Sequence, residues 1–194
     1  MRVGVLALQG GFAAHVAALR ALGHEAVAAR TADDLSVVDG LVIPGGEGTT
    51  MWRQMERDGL HEVLDRFVGR PVLATCAGLI LVAHGVTDPV QPSLRWLDVD
   101  VRRNGYGRQL DSFEARSDDG DQPLVFIRAP RITRVGTAVD VLATHDGEPV
   151  LVRQGNLVAA TFHPELTDDW RIHAMVFDEE RLRPSTGDRP RAML

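Results

Sequence analysis

The chain has 194 residues, of which 44% are hydrophobic and 25% charged, with a formal net charge of -6. That balance fits a single globular domain with a real core, and the acidic excess argues against nucleic acid as the main partner, because phosphate binding needs a basic face. Apolar runs are strand-sized, far short of the roughly 20 residues that span a bilayer, and MRVGVLALQGG lacks a small-residue cleavage site after its apolar part. A cytoplasmic chain with no membrane contact is therefore expected. Its lone cysteine, Cys76, fits a reducing compartment and excludes an internal disulfide framework or a thiolate metal cluster.

Two textures follow one another along the chain. Residues 3–8 read as a buried strand, after which Phe12, Val16 and Leu19 recur at spacings of four and three, predicting an amphipathic helix. Residues 25–29 and 40–43 look like further strands. Residues 50–68 look helical with a break near Gly59, and 71–75 start a fourth strand. Repeated strand–helix units imply a parallel sheet covered on both faces. Beyond Gly85 helical periodicity stops. Short strand candidates at 97–101, 112–116, 124–127, 139–143, 150–153 and 157–161 alternate with turn clusters such as Asp118-Asp119-Gly120-Asp121 and Asp146-Gly147, so this half should be mostly antiparallel. A last helix at 168–177 precedes a polar tail, 178–194, whose Pro, Arg and Asp content predicts poor order. The expected organisation is one domain over 1–177 plus the tail.

Cys76 falls between the fourth strand and a following helix in the run VLATCAGLILVA. That places the thiol on a sharp turn at the C-terminal edge of the sheet, where open α/β folds bind ligands. Such an elbow strains and crowds its residue, and Ala77 and Gly78 supply the missing bulk. A helix N-terminus together with a nearby imidazole favours a reactive thiolate. A lone cysteine beside Leu and Val is equally a small buried hydrophobe, and this stretch alone does not decide.

A base is offered by Thr161-Phe162-His163-Pro164-Glu165-Leu166. Proline pushes the residue before it toward extended angles, and residues two apart on an extended segment face one side, so His163 and Glu165 should share a space. A carboxylate there can fix the imidazole tautomer and leave its other nitrogen for a thiol; the plain alternative is a turn histidine bonded to its neighbour. After the third strand, Ile43-Pro44-Gly45-Gly46-Glu47-Gly48 offers glycine amides for close approach to a ligand, and the amides of Gly46 and Ala77 are candidates for an oxyanion hole. The glycines of Gln9-Gly10-Gly11 do not have dinucleotide-binding spacing.

TCAGLI, FHPEL and the PGG loop together resemble the class I, triad-type glutamine amidotransferases. LALQGGF, LVIPGGEGTTM, RRNGYGRQLDSFEA, VFIRAPRI and VRQGNLVAATFHPELTDD, in order from Val3 to Phe177, resemble more narrowly the glutaminase subunits of pyridoxal 5'-phosphate synthases. The resemblance implies a flavodoxin-like three-layer α/β sandwich, with a mostly parallel central sheet and an antiparallel extension in the second half. It implies hydrolysis of L-glutamine to glutamate and ammonia, with Cys76 as nucleophile, His163 as base and Glu165 as orienting acid. It places glutamine contacts at Gly46, Glu47, Gly48, Arg103, Ile127 and Arg128, requires no metal or other cofactor, and points to a separate synthase subunit as receiver of the ammonia. Arg102 and Arg108 read as solvated or partner-facing. The pattern after PGGE usually has serine where this chain has Gly48. Two rival readings remain: another enzyme class built on an elbow cysteine, which leaves FHPEL unexplained, and a non-catalytic binding subunit, which leaves the intact triad unexplained.

Overall fold

The computed structural model describes residues 1–105 and 112–178. Arg108, the middle of RRNGYGRQLDSFEA and all of the tail after Asp178 lie outside the described residues.

The first half builds strand–helix units: β1 (Arg2–Leu6), α1 (Phe12–Ala21), β2 (Glu25–Ala29), α2 (Ala32–Ser36), β3 (Gly40–Ile43), α3 (Gly48–Arg57), α4 (His61–Leu64) with a 3₁₀ turn at Asp65–Phe67, β4 (Val72–Thr75) and α5 (Ala77–Val82). Strands β2, β1, β3 and β4 are parallel neighbours. Successive side chains on a strand point to opposite faces, and the two cores divide accordingly. Leu6, Leu41, Ile43, Val72 and Ala74 enter the core packed by α3, α4 and α5, while Val3, Val5, Val42 and Leu73 enter the one packed by α1 and the last helix. Both faces are thus covered by helices, as continuous apolar strands require.

The second half contributes β5 (Ala83–Thr87), β6 (Leu97–Arg102), β7 (Phe113–Arg116), β8 (Pro123–Phe126), β9 (Arg131–Val135), β10 (Asp140–His145), β11 (Glu148–Gln154), β12 (Leu157–Ala160), a 3₁₀ turn at Pro164–Leu166 and α6 (Arg171–Phe177). Strands β10 and β11 extend the sheet antiparallel, completing the order β10-β11-β12-β4-β3-β1-β2. The expectation of a mostly antiparallel second half holds for β10–β11, β11–β12, β6–β9 and β7–β8, with two exceptions: β12 pairs parallel to β4, and β5 pairs parallel to β6. The reason for the first is burial. All four residues of β12 are buried, alternating between the two cores, so the strand belongs in the middle of the sheet. Strand β9 completes a three-stranded sheet with β5 and β6, and β7 pairs with β8 in a separate hairpin.

On α1 the buried residues are His15, Ala18 and Leu19, while Phe12 and Val16 lie at the margin of the core. A histidine therefore occupies the centre of an apolar helix face. Among the described residues, no helix is long and apolar enough to cross a membrane.

Candidate active site

The parallel pairing of β12 with β4 sets the site. Ala160 lies opposite Thr75, and the Cys76 amide donates to the Ala160 carbonyl at 2.9 Å, so the residues that follow each strand emerge side by side at one sheet edge. Cys76 has φ 49° and ψ -107°, a left-handed conformation that L-residues adopt only when their surroundings hold them there. It links β4 directly to α5. The turn is possible because Gly78 has no side chain: a Cβ there would fall 1.9 Å from the Ile43 carbonyl oxygen. The strained elbow expected from the sequence is present, and its thiol faces the Ile127 carbonyl at 3.7 Å.

His163 is set by the β7–β8 hairpin. Its amide donates to the Val125 carbonyl at 2.9 Å, one residue before β8 ends and two before the carbonyl that the thiol faces. Pro164 then begins a 3₁₀ turn that brings Glu165 back under the imidazole. Nδ1 of His163 lies 2.7 Å from Glu165 Oε1. An ionised carboxylate only accepts, so Nδ1 carries the proton in that bond and Nε2 is left for the other side. Nε2 is buried and completes no hydrogen bond of full geometry, yet the thiol is close enough to act on the ring. Burial opposes a charged imidazole, but the hydrogen bonds and charges of Cys76 and Glu165 outweigh it and raise the His163 pKa to about 10. The ring is thereby well placed to take up a second proton from its thiol neighbour. Burial likewise opposes charge on Glu165, but hydrogen bonding and charge from His15 and His163 hold its carboxyl well below the usual range.

Cys76 and His163 open into a cavity of about 340 Å³, within the range of small-molecule sites. Gly46, Glu47, Gly48, Ala77, Arg103, Ile127 and Arg128 line it. Every site residue expected from the sequence therefore meets in one space, except Glu165, which lies behind His163. Ile80 and Asn104 also line the cavity and had escaped the sequence reading. Asn104, in the RRNG stretch, has φ 51°, and Arg128 has φ 45°.

The glycine loop is tightly fitted. A Cβ on Gly45 would come within 2.4 Å of His163 Cε1, and one on Gly46 within 2.8 Å of Met51 Sδ. Glu47 caps α3, accepting from the amides of Thr49 and Thr50 and from the Thr50 hydroxyl, and its own amide donates to Gln9 Oε1 at 2.7 Å. Arg103 donates to Glu47 Oε1 and Thr49 Oγ1, both at 2.9 Å. Burial opposes charge on Glu47, but the threonine contacts and the Arg103 guanidinium pull its pKa down to about 2. Two of the expected glutamine contacts are thus paired with each other at the cavity wall. Beside Gly48, the Gln91 side-chain amide stands 3.4 Å from where a Cβ would be, so the space of a larger residue is bordered by a flexible tip.

The chain thus has the fold and the thiol–imidazole–carboxylate arrangement of a glutamine amidotransferase. A solved structure described as a glutamine amidotransferase superposes with a TM-score of 0.84 at 42% identity, covering 92% of this chain and 98% of the other. The model of the SNO glutamine amidotransferase family matches residues 5–180, and the chain belongs to that family. The pyridoxal 5'-phosphate synthase subunit PdxT of Solibacter usitatus is 48% identical over 186 residues, covering 90% of this chain and 96% of the relative. PdxT of Corynebacterium jeikeium is 49% identical over 182 residues, covering 89% and 93%. A putative GMP synthase subunit from Thermoplasma acidophilum, at 15% identity and a TM-score of 0.62 over 86% of this chain and 85% of the other, shares the fold.

Proposed function

We propose that this chain hydrolyses L-glutamine to glutamate and ammonia as the glutaminase subunit of a pyridoxal 5'-phosphate synthase. The observation that carries the reading is the convergence of Cys76, on a strained elbow, and the His163–Glu165 pair at one cavity. In this mechanism His163 takes the Cys76 proton, and the thiolate attacks the side-chain amide carbon of glutamine. The amides of Gly46 and Ala77 receive the charge on the carbonyl oxygen. His163 returns the proton to the leaving nitrogen, so ammonia departs and a γ-glutamyl thioester remains. Water, deprotonated by His163, then hydrolyses the thioester to glutamate and restores the thiol.

Glu165 holds the imidazole in the tautomer this cycle needs. The cavity wall supplies the grip on the amino-acid end of the substrate: Arg103, which has five N–H donors, meets the α-carboxylate, and Glu47 with nearby backbone groups meets the α-ammonium. Gly48, Ile127 and Arg128 complete the contacts. None of these steps uses a metal or a prosthetic group. Ammonia released into water at neutral pH is mostly protonated and lost, so the product passes directly to a synthase subunit that docks at this edge, with the Gln9-Gly10-Gly11 turn and the glycine loop at the contact. The catalytic unit comprises residues 1–177, works in the cytoplasm, and engages neither nucleic acid nor membrane.

The test is ammonia release from glutamine by wild type and Cys76→Ala, each with and without the synthase subunit. Wild type should release ammonia, more so with the synthase present, and Cys76→Ala should release none above background. A Cys76→Ala chain that still supports full glutamine-dependent synthesis would overturn the reading in favour of a non-catalytic binding subunit.

A further inference from the structure

Behind the His163–Glu165 pair lies a second polar layer that the mechanism does not use. His15 on α1, Thr75 at the end of β4 and His173 on α6 are fully buried. His15 Nε2 stands 3.3 Å from Glu165 Oε2 and 3.2 Å from Thr75 Oγ1. His15 Nδ1 stands 2.8 Å from His173 Nε2. Four side chains thus run in one line, His173–His15–Glu165–His163, from α6 through α1 to the cavity.

Donor and acceptor inventory fixes the direction at the carboxylate. Glu165 Oε1 receives the proton of His163 Nδ1. Its other oxygen, Oε2, is buried and has no hydrogen bond of full geometry, though the His15 nitrogen faces it at ion-pair distance. Because a carboxylate only accepts, His15 must present an N–H from Nε2, shared between Oε2 and the threonine oxygen. Its remaining nitrogen meets His173, which stops the ring from turning. A buried carboxylate with a partner on one oxygen only is costly, and it relieves that cost by protonating or by moving.

We infer that His15 is a positioning residue of the glutaminase site, holding Glu165 ionised and oriented so that Nε2 of His163 is presented to Cys76, and that His173 in turn holds His15. The inference rests on the triad reading above. It names a role for two residues that line no part of the cavity, so they act on the chemistry and not on glutamine binding.

The experiment uses the full-length chain assembled with its synthase subunit and compares wild type, His15→Leu, His15→Gln and His173→Leu by ammonia release across pH. The titratable groups facing Glu165 are His163 from its own segment, His15 from α1 and His173 from α6, and Cys76 faces His163. In His15→Leu, kcat should fall about tenfold or more, with KM for glutamine changed less than about twofold because the cavity is untouched. The acid limb of the profile should move to higher pH, since a carboxylate that has lost its donor protonates sooner as pH falls. His15→Gln, which keeps a donor near Nε2, should recover most of the rate and the limb, and His173→Leu should show the same changes in weaker form. Wild-type kcat and an unmoved limb in His15→Leu would overturn the inference, as would a loss that His15→Gln does not restore. If His15→Leu fails to fold, His173→Leu decides by the same two readouts. An inactive wild-type assembly overturns the triad reading and this inference with it; an active wild type with indifferent variants overturns this inference alone.

Discussion

At the scale of single residues, the site depends as much on missing side chains as on present ones. A methyl on Gly45 would press against His163 Cε1 at 2.4 Å and against the neighbouring Nδ1 at 3.2 Å, the nitrogen that bonds Glu165, so the ring yields only by giving up its alignment. Gly45→Ala should therefore cut kcat for ammonia release by about a hundredfold, the order of a general-base contribution, while circular dichroism stays that of wild type. Gly78→Ala meets a backbone oxygen at 1.9 Å, which cannot move aside as a side-chain tip does. The expected loss is on the order of 3 kcal/mol of stability, read from urea unfolding midpoints. Gly48 is different. Its neighbour is the end of the Gln91 side chain at ordinary contact distance, so Gly48→Ser should leave the urea midpoint within about 0.5 kcal/mol of wild type. The crowded elbow at Cys76, the small residues after it and the shared space of His163 and Glu165 were legible from local chemistry, whereas their roles came only with the resemblance. The role of Gly45 was not legible, because it depends on a ring supplied by a segment more than a hundred positions away. The signal for His15 was present but unweighted: a polar residue three and four places before Ala18 and Leu19, on the apolar stripe of a helix.

At the scale of elements, the start of α3 joins stability to the site. Glu47 caps the helix through two amides and a hydroxyl and pairs with Arg103. Glu47→Ala should lower stability by about 1 kcal/mol through the lost cap and free the Arg103 guanidinium, raising KM for glutamine. Because the folded carboxyl has its pKa pulled down to about 2, its contribution is present above the ordinary carboxylate pKa and lost as pH falls through the acid range, so the variant and wild type should converge in thermal midpoint toward pH 2. Elements with strong periodicity were readable: β1, β2, β3, β4 and α1 follow from their apolar spacing. Three elements, α2, β5 and β9, were hidden for physical reasons. α2 is a five-residue helix with a single buried side chain, Leu35, too short to show a period, although Thr31 and Asp34 form a capping box that the T-x-x-D spacing announces. β5, AHGVT, follows α5 with no connecting residue, and its exposed His84 and its Gly85 break the apolar pattern that would mark a strand. β9, RITRV, has only two apolar residues to mark it.

At the scale of the molecule, the buried titratable groups pull in a common direction on the acid side. Burial, reinforced by His15 and partly offset by Glu165, pushes the His173 pKa down to about 3, so an unfolded histidine binds a proton more readily than the folded one and stability falls as pH drops below the ordinary histidine range. The depressed carboxyls of Glu165 and Glu47 add losses at lower pH. His163 has the opposite sign: its raised pKa contributes stability that is complete below about 6.5 and lost as pH rises through about 10. Thermal midpoints measured in steps of pH should therefore peak near the ordinary histidine range and fall on both sides, through His163 as pH rises toward about 10 and through His173 and then the carboxyls as pH drops. The sheet order was the least legible feature of the whole, because nothing in the run LVAA says which strand it will join. That run is nevertheless where the molecule closes. Strand β12 sits between β4 and β11 with every residue buried, and its mate in the parallel pairing is more than eighty positions earlier in the chain. Contacts between such distant segments form slowly, since the intervening loop must be closed before they are rewarded. During synthesis, then, a chain that already carries its thiol has neither the imidazole nor the strand that aligns it, and the site is complete only once β12 and the segment after it have been made.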